Sequence, residues 1–204
     1  MNNFSYRNTT QIHFGQGQIA KIRDEMPANA RVLITYGGGS IKKNGVMEQV
    51  HAALEDVTYF EFGGIEPNPH FETLMKAVDV IKQENINFIL AVGGGSVIDG
   101  SKFIAAAALY PNDPWEIIQT YGAKVTQAVP LGCVLTLAAT GSEMNNGAVI
   151  TKAATQDKLF FFSEHVYPKF SVLDPTTTYS LPPRQIANGV VDSFVHIVEQ
   201  YVTY

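Results

Sequence analysis

Two short stretches carry the residues best suited to chemistry. In "YGGGS" (36–40) and "VGGGS" (92–96) an apolar run ends in three glycines and a serine. Glycine tolerates positive φ and has no side chain, so a backbone built from it can approach a ligand closely. If each triplet opens a helix, the free N–H groups and positive dipole end of that helix favour an anion. Ser40 and Ser96 can cap those helices or donate to the same ligand. The pattern describes a cradle for a phosphate-bearing cofactor. Either triplet alone could be a tight turn, but two of them after two similar strands argue for a shared purpose.

Neither triplet is the G-x-G-x-x-G dinucleotide fingerprint. No acidic residue follows the first one closely enough to take a ribose 2′-hydroxyl. Lys42 and Lys43 stand there instead. Cations at a helix start oppose its dipole unless an anion lies between them. A 2′-phosphate is such an anion, so the pattern favours NADP(H) over NAD(H). Two solvated lysines on an exposed turn are the alternative.

A second candidate lies near the end of the chain. Asp192 and His196 are four residues apart, which puts them on one face of a helix. Val190, Val191, Phe194, Val195, Val198 and Val202 would fill one side of that helix, and Asn188, Asp192, His196 and Glu199 the other. Pattern alone reads this as an amphipathic helix with a solvated polar face. A carboxylate and an imidazole are also ligands that iron(II) or zinc accepts.

The elements that must position these residues alternate. Strands are expected at 31–36, 57–62, 86–92 and 128–137, with helices at 41–55, 71–85 and 96–110 between them. Such alternation implies βαβ units and a Rossmann-like parallel sheet with helices on both faces. Ligands of such sheets bind beyond the carboxyl ends of the strands, where both triplets lie. Shorter strands are expected at 147–151, 158–162 and 170–174, and an N-terminal one at 10–15 that could pair across subunits. Residues 175–183 hold three prolines and three threonines and form the best boundary. Proline then suits the first turn of a closing helix. The expected organisation is an α/β dinucleotide-binding domain over 1–180 and the start of an α-helical metal-binding domain over 181–204.

Composition excludes several classes. Hydrophobic residues at 46% and charged residues at 16% allow a sizeable core and argue against disorder. A net charge of -5 with no basic stripe argues against nucleic-acid binding. The N-terminus has no apolar signal core, and the apolar runs fall short of the ~20 residues a membrane span needs. A cytoplasmic protein is the expectation. Cys133, the one cysteine, reads as a small buried hydrophobe.

"GGGSVID" (93–99), "TLAATGSEMNNGAVIT" (136–151), Lys158, "LDP" (173–175) and "LPPRQIANGVVDSFVHIVEQY" (181–201) together resemble the iron-containing (group III) alcohol dehydrogenase superfamily. "YGGGSIKKNG" and "DPWEI" are similar to its NADPH-dependent butanol dehydrogenase and aldehyde reductase branch. The resemblance runs from about residue 5 to the end.

The resemblance implies roles. Gly38, Gly39 and Ser40 would lie near the adenosine ribose, with Lys43 beside the 2′-phosphate that the charge pattern suggests. Gly94, Gly95 and Ser96 would hold the pyrophosphate, and Asp99 matches the signature aspartate. Thr136, Thr140 and Ser142 would line the cofactor cleft. Taken alone, Thr140 or Ser142 is an ordinary turn cap. Lys158 would contact the nicotinamide ribose and Leu173 would sit beside the cofactor. Asp192 and His196 would supply two ligands to a divalent metal, Fe2+ or Zn2+. The implied reaction is hydride transfer between NADP(H) and a small alcohol or aldehyde, in a homodimer or larger assembly of the full-length parent.

The chain departs from the pattern in one respect. Two further histidine ligands are expected downstream, and the sequence ends at Tyr204. His13, His51, His70 and His165 have no spacing that replaces them. An N-terminal portion of an enzyme is therefore expected. Two alternatives stay open: a nucleotide-binding module without turnover, and an NAD-dependent polyol dehydrogenase of glycerol type.

Overall fold

The computed structural model describes Asn3, Ser5 and residues 7–203. Its strands are β1 (Gln11–Phe14), β2 (Arg31–Thr35), β3 (Thr58–Phe62), β4 (Phe88–Gly94), β5 (Leu131–Leu137), β6 (Gly147–Lys152), β7 (Asp157–Phe162) and β8 (Phe170–Leu173). Six of them form one sheet in the order β1-β8-β5-β4-β2-β3, with every neighbouring pair parallel. The expected Rossmann-like α/β sheet is present. β6 and β7 leave it and pair with each other as an antiparallel hairpin.

The helices are α1 (Ile22–Glu25), α2 (Val46–Ala53), α3 (Phe71–Gln83), α4 (Gly95–Leu109), α5 (Trp115–Gln119) and α6 (Pro183–Val202). One core cluster joins α3, α4 and α5 to one face of the sheet, and the other joins α1 and α2 to the opposite face. Because both faces are covered, β2, β4 and β5 are continuous apolar runs rather than alternating ones. On α3 the buried residues Leu74, Ala77, Val78 and Ile81 recur at helical spacing. α4 is buried nearly all round, and its run Ala105–Ala108 keeps the side chains small there.

One expectation needs correction. The helix expected over 41–55 is a 3-10 turn at Ser40–Lys42 followed by α2. Gly45 (φ +81°) is left-handed and interrupts it, and Gly39 (φ +85°) caps the start of the 3-10 turn. The N-terminal strand β1 is the outermost strand of the sheet, paired on its inner side with β8. The boundary segment carries another 3-10 turn, Pro175–Thr178, held by the buried Asp174. α6 follows at Pro183, with proline at its first turn as expected. No residue of α6 is buried, and Phe194 is 66% exposed. The one apolar face drawn from the sequence is thus exposed along with the polar one.

Candidate functional site

All six parallel strands end on one edge of the sheet. The chain goes from β2 outward to β3, then crosses back to β4 on the other side of β2. A reversal of this kind opens a crevice at the carboxyl ends of the two strands it separates. Both glycine triplets sit there, one after β2 and one at the end of β4.

The second triplet opens a helix, as the sequence suggests. β4 runs through Gly94 and α4 starts at Gly95 without a residue between them. The first N–H groups of α4 have no intrahelical acceptor and point out of its N-terminus. Ser96 is not the cap; that position is Gly94, and Ser96 lies in the first turn. The Ser96 hydroxyl oxygen accepts a 3.3 Å bond from the Asn68 N–H. Asn68 in turn accepts a 2.8 Å bond from Lys158 Nζ, so β7 reaches across to the triplet through Asn68. Gly95 has a packing reason as well. A Cβ there would lie 2.4 Å from Thr140 Oγ1, so only glycine lets the segment after β5 close over the helix start.

That segment is fastened from below by α4. Thr140 and Ser142 hydroxyls are 2.7 Å apart, and Ser142 donates a 2.7 Å bond to the Asp99 carboxylate. The other Asp99 oxygen accepts a 3.0 Å bond from the Val149 N–H on β6. Burial pushes the Asp99 carboxyl above the usual carboxylate range, with the Ser142 and Val149 bonds opposing. Asp99 therefore works as a clamp between elements, with Thr140 exposed above it. A cavity of about 380 Å³ is lined by Asp99, Thr140, Ser142, Val149 and the exposed rings of Phe160 and Phe162.

One turn along α4, sequence reasoning missed Lys102. It is fully buried and donates to Asn145 Oδ1 at 2.8 Å and to the Gly147 carbonyl at 2.9 Å. Burial lowers its ammonium pKa to about 8, against the opposing attraction of Asp99. The spacing of Asp99 and Lys102, three apart on one helix face, was the available signal. Cys133 is buried, as expected, and burial pushes its thiol up to about 12.

The first triplet differs from expectation. Gly38 is open: a Cβ placed there meets nothing within 4 Å. Ser40 and Lys43 are exposed, and Lys43 makes no ion pair among the described residues. However, Ser40 begins only the short 3-10 turn, so no α-helix dipole acts at this end. Lys42 is also taken: its Nζ lies 2.7 Å from Glu61 of β3. Glu61 is the acid that a local reading of the sequence did not find. It stands on the next strand, beside the turn, and an acid roughly 20 residues after a glycine turn was the available signal.

The remaining candidates lie apart from one another. Thr136 is half-buried near the end of β5, and Leu173 ends β8. Leu173 lines a cavity of about 210 Å³ with Phe14, Leu135 and Asp174. Asp192 and His196 share one face of α6, with Nε2 3.6 Å from the carboxylate, and both are exposed. Their donor chemistry fits a divalent cation, but no group of three or more His, Cys, Asp or Glu able to hold a metal occurs among the described residues.

A sequence profile for "Iron-containing alcohol dehydrogenase" matches residues 9–175. The chain belongs to the iron-containing alcohol dehydrogenase family. It is 62% identical to the NADPH-dependent aldehyde reductase YqhD of Escherichia coli (strain K12), over 100% of this chain and 53% of that protein. It is 48% identical to the probable NADH-dependent butanol dehydrogenase 1 of Bacillus subtilis (strain 168), over 98% of this chain and 52% of that one. The crystal structure of E. coli K-12 YqhD superposes with a TM-score of 0.94, covering 99% of this chain and 52% of that one. An NADH-dependent butanol dehydrogenase A from Thermotoga maritima, 43% identical, superposes at 0.91 over 98% and 51%. The chain thus spans about half the length of the curated relatives it matches. No helix among the described residues is long and apolar enough to cross a membrane.

Proposed function

We propose that this chain supplies the cofactor-binding part of an NADP(H)-dependent, metal-dependent alcohol dehydrogenase. Its reaction interconverts small primary alcohols and aldehydes by hydride transfer. The observation that carries this reading is the pair of glycine turns at the carboxyl ends of β2 and β4, on the two sides of the crevice where the strand order reverses.

The residues divide the work. The open turn at Gly38, Gly39 and Ser40 receives the adenosine ribose, with Lys43 free to pair with a 2′-phosphate. Gly94, Gly95 and Ser96 present the α4 N-terminus to the pyrophosphate. Thr140 lines the cleft above Ser142 and Asp99, Lys158 reaches the nicotinamide ribose, and Thr136 and Leu173 complete the walls. The nicotinamide supplies or accepts the hydride. Asp192 and His196 would provide two ligands to a divalent metal, which when bound would supply a Lewis acid for the substrate oxygen. Residues 1–180 form the nucleotide-binding unit and 181–204 begin the metal-binding one.

The relatives are named for NADPH in one case and NADH in the other, so the family alone does not choose. The free Lys43 and the ion-paired state of Glu61 favour NADP(H). Titration of the chain with NADPH and NADH, followed by nicotinamide fluorescence, tests the reading. Binding with NADPH preferred supports it, and preference for NADH defeats the cofactor assignment.

A second reading is a nucleotide-binding module without turnover in this chain alone. That no group of three or more such donors able to hold a metal occurs among the described residues favours it. Aldehyde reduction assayed with added Fe2+ or Zn2+ separates the two.

A further inference from the structure

The first glycine turn is braced by a charge cluster centred on Glu61 of β3. Glu61 sits one residue before the end of β3, paired in register with Ile34 of β2. Its carboxylate accepts bonds from Lys42 Nζ at 2.7 Å and from the Tyr36 hydroxyl at 3.2 Å, and lies 3.0 Å from His51 Nε2. Lys42 also lies over the Tyr36 ring, 4.7 Å from its centroid. Tyr36 and Lys42 flank the turn: one precedes Gly37, the other follows Ser40 and Ile41. The two strands are tied beyond their ends as well, because the Tyr36 N–H donates to the Phe62 carbonyl and the Gly64 N–H to the Gly37 carbonyl. Glu61 is therefore fixed beside the turn although it is 19 residues from Lys42.

We propose that Glu61, through its ion pair with Lys42, sets how strongly the first glycine turn prefers a 2′-phosphate to a 2′-hydroxyl. This rests on the placing of the adenosine ribose at that turn. The physical argument is one of charge balance. An unpaired carboxylate beside the turn repels a phosphate and accepts a bond from a ribose hydroxyl. Lys42 removes both effects by pairing with it. The same bond holds Lys42 toward β3, which leaves Lys43 as the unpaired cation nearest the turn. With both partners present the pair adds no net charge, and discrimination is set by Lys43 alone. Removing either partner shifts the balance in a direction that can be stated beforehand.

The probes are adenosine 2′,5′-bisphosphate and AMP, which differ only in the 2′-phosphate and need no nicotinamide site. Their affinities for the full chain are measured by calorimetry at low ionic strength. In Lys42→Met the preference for the bisphosphate falls about fivefold, the weight of one unit charge at about 4 Å in a solvated setting. In Glu61→Gln it rises by a similar factor. In the double variant the net charge of the pair is again zero, and the preference returns to within about twofold of the parent. Both single effects shrink as salt is added. A merely structural role for the pair would weaken both probes alike and leave their ratio unchanged. An unchanged ratio in both single variants, or a double variant that does not return, overturns the proposal. If the unaltered chain binds neither probe, the placing of the ribose itself fails and the proposal falls with it. A changed binding strength with an unchanged ratio overturns the proposal alone.

Discussion

Asp99 and Ser142 are 43 residues apart, yet the Ser142 hydroxyl donates a 2.7 Å hydrogen bond to the Asp99 carboxylate. With the second bond from the Val149 N–H, one side chain of α4 ties both the middle of the segment after β5 and the strand β6 that follows it. The segment has no helix or strand of its own over Ala138–Asn146, so its position depends on such bonds. Replacing Asp99 by Ala leaves the Val149 N–H and the Ser142 hydroxyl without their acceptor. Loss of a buried acceptor of this kind costs about 1–3 kcal/mol. Urea unfolding should show that loss, with weaker binding of NADPH and NADH alike. Asp99→Asn, which keeps one acceptor oxygen, should lose less. A stability change in Asp99→Ala below about 0.5 kcal/mol would mean that the clamp is not needed.

Two glycines separate packing from ligand approach. At Gly95 an added Cβ would lie 2.4 Å from Thr140 Oγ1, whereas at Gly38 it would meet nothing within 4 Å. Gly95→Ala should therefore lower stability and displace the Thr140 segment, whether or not a cofactor is present. Gly38→Ala should leave the melting temperature within a degree or two. It should still weaken NADPH binding, because the methyl group faces the open turn. If Gly38→Ala binds NADPH as the parent does, the cofactor does not approach that backbone.

The sheet was legible in the sequence for a simple reason. β2, β4 and β5 are covered on both faces, so each is a continuous apolar run ending in glycine or a polar turn. α3 was legible from the spacing of Leu74, Val78 and Ile81. α5 was not, because five residues are too few for periodicity to register. The partners inside the site were hidden for another reason. Glu61 meets Lys42, Asp99 meets Ser142, and Lys102 meets Asn145 only because crossovers bring distant strand ends to one edge. Spacing along the chain reports faces of one element and is silent about such meetings. The apolar residues of α6 show the converse: their period was read correctly as a helix, but a period does not say what surrounds it.

Lys43 offers a direct test of the 2′-phosphate reading. It follows the 3-10 turn at Ser40–Lys42, and it is exposed and unpaired among the described residues. Lys43→Glu exchanges a cation for a like charge of the phosphate, a change that costs several kcal/mol where the two groups meet directly. NADPH affinity should fall by about tenfold or more while NADH affinity changes little. Ser40→Asp should act in the same direction. Equal losses for both cofactors in fluorescence titrations would remove the 2′-phosphate from this turn.

Asp192 and His196 carry the metal assignment, and two side-chain donors hold a cation only weakly. Zinc titrated into the chain should bind with low affinity, and His196→Ala should weaken it further without changing the affinity for NADPH. Bound metal can be followed by competition with a chromophoric chelator. If His196→Ala keeps the parent's zinc affinity, the pair is not a metal site. The His196 side chain is exposed, so this substitution should not lower the melting temperature noticeably.

Lys102 predicts how stability responds to alkali. Its folded pKa is lowered to about 8 from an ordinary value of 10.5. Below about pH 8 the folded chain buries a charged ammonium, and the full cost of that burial is present. Between about pH 8 and 10.5 the folded chain releases the proton while the unfolded chain still holds it. The unfolded state then binds more protons, so the contribution of Lys102 to stability rises with pH across that window. The stabilising part is lost again as pH falls through the folded value. Lys102→Met has no such group, so the stability of the parent relative to this variant should rise by about 2 kcal/mol between pH 7.5 and 10. Taking the difference between the two proteins cancels the titration of Cys133 and the tyrosines, which both contain. Urea unfolding at several pH values gives the curve. A constant difference across the window would mean that the Lys102 ammonium keeps an ordinary pKa, and that its bonds to Asn145 and Gly147 repay its burial in full.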